Sequence, residues 1–99
     1  MKFLHFIALL KTNNLRIAYD FASDDVAKVE RQRQKFIEKM DTSKIDILYN
    51  FHFVPLNSSK VESLVQYDPY FSQFNFVTLD KFYDLATNEL SQHSKTFGL

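Results

Sequence analysis

The sequence predicts a small α+β domain: an N-terminal β-hairpin, a helix, a long strand and C-terminal helices, with a three- or four-stranded sheet covered by helices on one face. Three observations carry this reading. Residues 45–54 hold a period of two, with Ile45, Ile47, Tyr49, Phe51 and Phe53 at the odd positions and Asp46, Leu48, Asn50, His52 and Val54 between them. Residues 15–21 alternate in the same way directly after an apolar run and an Asn-Asn turn. After Ser23 the apolar residues change to the helical period. The long alternation at 45–54 is therefore expected to be the main strand, the one around which the rest is organised.

Taken in order, Lys2 to Lys11 reads as a strand apolar on both faces, with Phe3, Ile7 and Leu9 on one side and Leu4, Phe6, Ala8 and Leu10 on the other. Such a strand belongs inside a sheet. Thr12-Asn13-Asn14 is a turn, and Leu15 to Phe21 returns as the second strand of a hairpin. Ser23 is placed to cap a helix from Asp24 to Met40, with acidic residues at its start and Lys39 near its end. Ala22, Val26, Val29, Phe36, Ile37 and Met40 fall on one side of that helix. Pro55 ends the strand at 45–54. Ser59-Lys60-Val61-Glu62 is a capping box for a short helix to Tyr67, and Asp68-Pro69 starts another turn or two through Phe74. Phe76-Val77 is extended. Thr78 caps a last helix that carries Leu79, Phe82, Tyr83, Ala86 and Leu90 on one face. No linker or repeat divides the chain, so residues 1–99 form a single domain in which 91–99, without periodicity, is expected to fray.

Composition excludes several functions. There is no cysteine, hence no disulfide, no thiolate chemistry and no cysteine-based zinc site, and a reducing cytoplasm is the expected location. The single glycine leaves no phosphate-cradling loop and no dinucleotide fingerprint. The apolar run Phe3–Leu10 is broken by His5, lacks a cleavage site after it, and is far shorter than the ~20 residues that span a bilayer, so no membrane role is expected. Phe, Tyr, Met, Ile, Asn and Lys number 38, against 11 for Gly, Ala, Arg and Pro. That skew is typical of AT-rich coding sequence and associates the chain with a low-GC bacterium or a phage, plasmid or other mobile element in one. Formal charge is zero, with nine Lys/Arg against seven Asp/Glu in residues 1–49 and three against five in 50–99. A neutral domain projects no global field toward nucleic acid or an anionic membrane.

Four groups of residues carry candidate chemistry. Lys28, Arg31, Lys35 and Lys39 form a basic face on the helix at 24–40, suited to phosphates or an acidic protein surface; the plainer reading is a solvated face. Arg33 falls inside the apolar stripe of the same helix, where no apolar residue occurs from Glu30 to Lys35. A charge there pairs, snorkels to water, or meets a partner or second copy. Tyr67, Tyr70, Phe71, Phe74 and Phe76 crowd rings into a short, weakly periodic segment, as core or as an exposed anchor surface. His5, His52 and His93 are scattered. His52 with Asp20 or Asp46 would suit acid–base chemistry in a small nuclease or hydrolase, and Glu89 with His93 would give two ligands, too few for a metal site.

The expectation from sequence is a small non-enzymatic cytoplasmic protein, free of cofactor and metal, that binds another protein as an inhibitor, adaptor or regulatory subunit. Tyr67, Tyr70, Phe71, Phe74 and Arg33 are its expected contact residues. A homodimer through a sheet edge or the aromatic segment is compatible with this, with Arg33 at the seam. The alternative is a nucleic-acid-associated regulator using Lys28, Arg31, Lys35 and Lys39.

Overall fold

In the computed structural model of the protein the described residues are 2–54 and 59–97, with the side chains of residues 52 and 92–97 outside the description. β1 (Lys2–Lys11) is the central strand, because both of its faces are apolar and both find cover. It pairs antiparallel with β2 (Arg16–Ser23) on one side, in a register running from Lys11↔Arg16 to Leu4↔Ser23. On the other side it pairs antiparallel with β3 (Asp46–Phe53), from Leu9↔Asp46 to Lys2↔Phe53. The two-residue β4 (Asn75–Phe76) adds parallel to β2, and the strand order is β3-β1-β2-β4. The hairpin turn is held by Thr12, whose hydroxyl oxygen accepts from the Leu15 amide at 3.0 Å and whose own amide donates to the Leu15 carbonyl at 2.8 Å.

This order corrects one expectation. The alternating strand at 45–54 lies at an edge, and the organising strand is β1. Alternation marks a strand with one face buried, whereas an apolar run on both faces marks the sheet's interior. The stop expected at Pro55 lies outside the described residues.

The helices are α1 (Val26–Lys39), α2 (Lys60–Tyr67) and α3 (Leu79–Phe97). Short 3₁₀ turns at Thr42–Lys44 and Pro69–Gln73 join them to the sheet. The cap of α1 is Asp25 rather than Ser23: the Asp25 carboxylate accepts from the Ala27 amide at 3.0 Å, while the Ser23 hydroxyl accepts from the Asp25 amide. β2 runs through Ser23 and so moves the helix start two residues on. Ser59 caps α2 as expected, its hydroxyl oxygen accepting from the Glu62 amide at 3.4 Å. α3 continues to Phe97, past Ser91, where the sequence periodicity ends.

The domain is a small α+β fold with a four-stranded mixed sheet, covered on both faces rather than one. On the front, Phe6, Ala8, Leu10 and Ile17 meet Val29, Phe36 and Met40 of α1 and Phe82 and Ala86 of α3. Phe36 is wholly buried, its ring centre 5.5 Å from that of Phe6 (edge-on), 5.7 Å from that of Phe82 (tilted) and 5.7 Å from that of Tyr83 (stacked). Each such pair adds about 0.5–1.5 kcal/mol beyond the burial of its surface. On the back, Ile7, Leu9 and Ala18 meet Leu64 of α2 with Phe71 and Phe74 of the aromatic segment. The aromatic segment is what closes the second face.

Candidate functional site

The site is built from β3 outward. The strand's apolar, β-branched and aromatic residues favour a pleated, half-buried conformation, and its pairing with β1 runs without a bulge. Among the described residues its other edge faces no strand. Edge strands of monomeric proteins are usually blunted by charge, proline, bulges or shortness. β3 has eight residues, no proline, and no charged residue between Ile47 and Phe53.

Odd residues of β3 point to the front, beside Ala8, Phe6 and Leu4 of β1. Ile45 is buried and Ile47 partly so. Beyond them Tyr49, Phe51 and Phe53 are 44%, 47% and 71% exposed. The reason lies in α1, which packs on β1 and β2 and presents no apolar residue from Glu30 to Lys35. The helix therefore offers nothing that would cover the far half of β3. Instead Glu30 and Arg33 stand beside the Tyr49 phenol. Partial burial pushes that phenol's pKa up; the Arg33 guanidinium opposes the shift and the Glu30 carboxylate adds to it. At the other end of the strip the Lys2 ammonium lies 4.5 Å from the centre of the Phe51 ring and 5.8 Å from that of Phe53. The result is an aromatic strip along an open edge, with a charge pair at one end and a cation at the other.

The residues expected from sequence to bind a partner do not form one surface. Phe71 and Phe74 are buried in the back core and leave the contact set: Pro69–Gln73 winds as a 3₁₀ helix that turns both rings onto the sheet. Tyr67 and Tyr70 stay outside, 64% and 47% exposed, with Tyr70 edge-on to Phe71 and Phe74. Arg33 lies on the opposite side of the sheet from them, half-buried beside Tyr49. Lys28, Arg31, Lys35 and Lys39 are all exposed along α1, and Lys39 also sits 6.0 Å from the Tyr83 ring. Alternation reports a buried side without reporting how far the cover extends, so the pattern alone does not distinguish Tyr49, Phe51 and Phe53 from a core face. The polar gap in α1 was the available signal.

The acid–base candidate changes as well. Asp20 pairs with His5: Nδ1 lies 2.8 Å from the Asp20 carboxylate, with the side chains 0% and 3% exposed. Nδ1 and the carboxyl oxygen share one hydrogen bond, closed off from solvent on both sides. A dyad this enclosed offers a substrate no approach, and a general base must reach the proton it takes. Asp46 lies six positions from residue 52 on the same strand, roughly 20 Å away at ~3.4 Å per residue. The side chains of His52 and His93 lie outside the description. Glu89 accepts from the Thr12 hydroxyl at 2.7 Å. Those two residues border an open depression of about 260 Å³ with Leu10, Lys11, Asn13, Lys44 and Leu90, below the usual ~300–1,000 Å³ of small-molecule sites. Among the described residues no cluster of three or more His, Asp or Glu is arranged to hold a metal ion, and no helix is long and apolar enough to cross a membrane.

In comparisons with known proteins, no family model matches the sequence, and neither a curated protein nor a solved structure matches it significantly.

Proposed function

We propose that the chain is a protein-binding module, acting as an inhibitor, adaptor or regulatory subunit, and that it engages protein along the open edge of β3. The observation that carries this is the unbulged edge strand, uncharged from Ile47 to Phe53, whose Tyr49, Phe51 and Phe53 rings stand substantially exposed. Backbone groups on a free edge supply affinity to an added strand, and alternate side chains supply selectivity. Tyr and Phe seated in a strip that partner atoms can dehydrate are the residue types that anchor interfaces. Arg33 and Glu30 at the lip add orientation, because a partner must meet both charges in one register.

The basic face of α1 is an alternative contact for phosphates, but the chain is neutral and its exposed cations are not accompanied by exposed rings on that face. Binding of the partner by wild type, Phe51→Glu and Lys35→Glu/Lys39→Glu separates the two. Under the present reading Phe51→Glu loses at least tenfold in affinity, the double lysine variant binds normally, and nuclease and moderate salt change little. Retention by Phe51→Glu together with loss by the lysine variant would replace the β3 edge with the helix.

A further inference from the structure

We infer that the partner at the β3 edge is a second copy of this chain, the two β3 strands pairing antiparallel about a two-fold axis to make one continuous eight-stranded sheet; this rests on the edge-binding reading above. The first argument is the inequality of the two sheet edges. β4 is two residues long and leads within three residues into α3. It offers almost no ladder to a neighbour, whereas β3 offers eight residues. Among the described residues each chain has one long edge without a neighbouring strand, so edge pairing closes at two copies and does not propagate into a fibre.

The second argument is that β3 is compatible with itself. An axis normal to the sheet pairs one residue with its own copy and keeps the two front faces on the same side. The registers that use all but one of the eight strand residues place either Tyr49 or Asn50 on the axis. With Tyr49 there, Ile47 faces Phe51 of the copy; with Asn50 there, Tyr49 faces Phe51 and Ile47 faces Phe53. Every front pair is then aromatic or aliphatic, the kind that stabilises antiparallel neighbours. The strand's one charge, Asp46 at its start, falls at opposite ends of the paired ladder and never against itself.

The third argument is area. Exposures of 44%, 47% and 71% on rings of roughly 200 Å² leave about 320 Å² of aromatic surface per chain. Two-fold pairing joins the two strips into one and shields the backbone edge between them. Each partner in a stable complex contributes ~800 Å². The aromatic strip supplies at most about two-fifths of that, and the eight-residue backbone edge and Leu48, 38% exposed on the back, add to it.

Sedimentation equilibrium of the purified chain, followed from roughly 1 to 200 μM, is expected to show association to twice 11.7 kDa and no further. Phe51→Glu is expected to raise the dimer dissociation constant at least tenfold with an unchanged circular dichroism spectrum. Leu48→Lys is read in its place if that variant does not fold. Because the chain has no cysteine, Tyr49→Cys and Asn50→Cys report self-contact directly. One of them is expected to form a disulfide-linked dimer on mild oxidation, since the ~4.5–5.5 Å Cα separation of a self-pair suits a disulfide. Phe53→Cys, far from the axis in either register, is expected not to. A dimer that persists in both edge variants, or that cross-links at neither central position, would place the contact elsewhere and overturn the inference. A chain that stays monomeric to 200 μM, while Phe51→Glu abolishes its binding to another protein, overturns the second-copy inference and leaves the edge-binding reading standing. A monomer whose binding ignores Phe51→Glu removes both.

Discussion

The buried pair between His5 and Asp20 allows a quantitative test of how the back of the sheet is held. Cross-strand register sets His5 opposite Ala22 and Asp20 opposite Ile7, so the two side chains are diagonal neighbours on one face and meet at 2.8 Å. Replacing His5 by Leu keeps an apolar body but takes away the hydrogen-bond partner that Asp20 uses, leaving a carboxylate with its side chain 3% exposed. Removing one partner of such a pair costs about 3–5 kcal/mol, whereas replacing both by apolar residues of similar size is often neutral. His5→Leu is therefore expected to lose at least ~3 kcal/mol of a total near 5–15 kcal/mol, lowering Tm by roughly 12–24 °C. The double variant His5→Leu/Asp20→Leu is expected to regain most of that, giving a coupling energy of about 2–3 kcal/mol. Urea unfolding followed by far-ultraviolet circular dichroism measures all four corners of the cycle. A coupling energy under ~0.5 kcal/mol, or a His5→Leu variant within ~1 kcal/mol of wild type, would show that the pair contributes no specific stabilisation and that the reasoning is wrong.

Two further outcomes follow from burial. Phe71→Ala and Phe74→Ala should each cost about 3–5 kcal/mol in urea unfolding, while Tyr67→Ala and Tyr70→Ala stay within ~1 kcal/mol; equal costs for the two pairs would contradict the division of the aromatic segment into core and surface. The phenols of Tyr19, Tyr49 and Tyr83 are all pushed above their ordinary value of 10.0, burial being the main cause in each. A raised folded-state pKa stabilises the fold below the unfolded value, and that contribution is lost as pH rises through the folded one. Stability should thus decline above pH ~10, and Tyr19→Phe, which leaves no proton to lose, should flatten the decline. A pH profile unchanged in Tyr19→Phe would count against it.

Local chemistry was legible in the sequence wherever one residue type meets one backbone need. The turn at Thr12–Asn14, the Ser59 cap, and the paired faces of β1 all take the places that their residues demand. What the sequence did not disclose is which apolar face lies under which cover. Phe71 and Phe74 look like exposed anchors when their segment is read as two weak helical turns, and they are core only because the segment folds back over Ile7 and Leu9. Tyr49, Phe51 and Phe53 look like core for the reciprocal reason: alternation is identical for a covered and an uncovered strand face. Strand order decides both cases, and it is set by long-range pairing that no window of neighbouring residues contains.

The aromatic segment and the β3 strip together define what remains to be covered. A helix with apolar residues across positions 30–35 would have lain down on β3 and closed the front as the aromatic segment closes the back. α1 carries Glu-Arg-Gln-Arg-Gln-Lys there, and no other described element covers the strip. At the opposite edge the exposure is met by the simplest device, a strand only two residues long. The same chain thus blunts one edge and leaves the other long, aromatic and uncharged from Ile47 onward. An exposed edge of that kind carries a standing risk of aggregation, and a lysine at Leu48 or a proline within β3 would remove the risk at little cost to the core. The absence of such a residue is expected if the edge is occupied in the working state, which is the premise on which the binding reading stands.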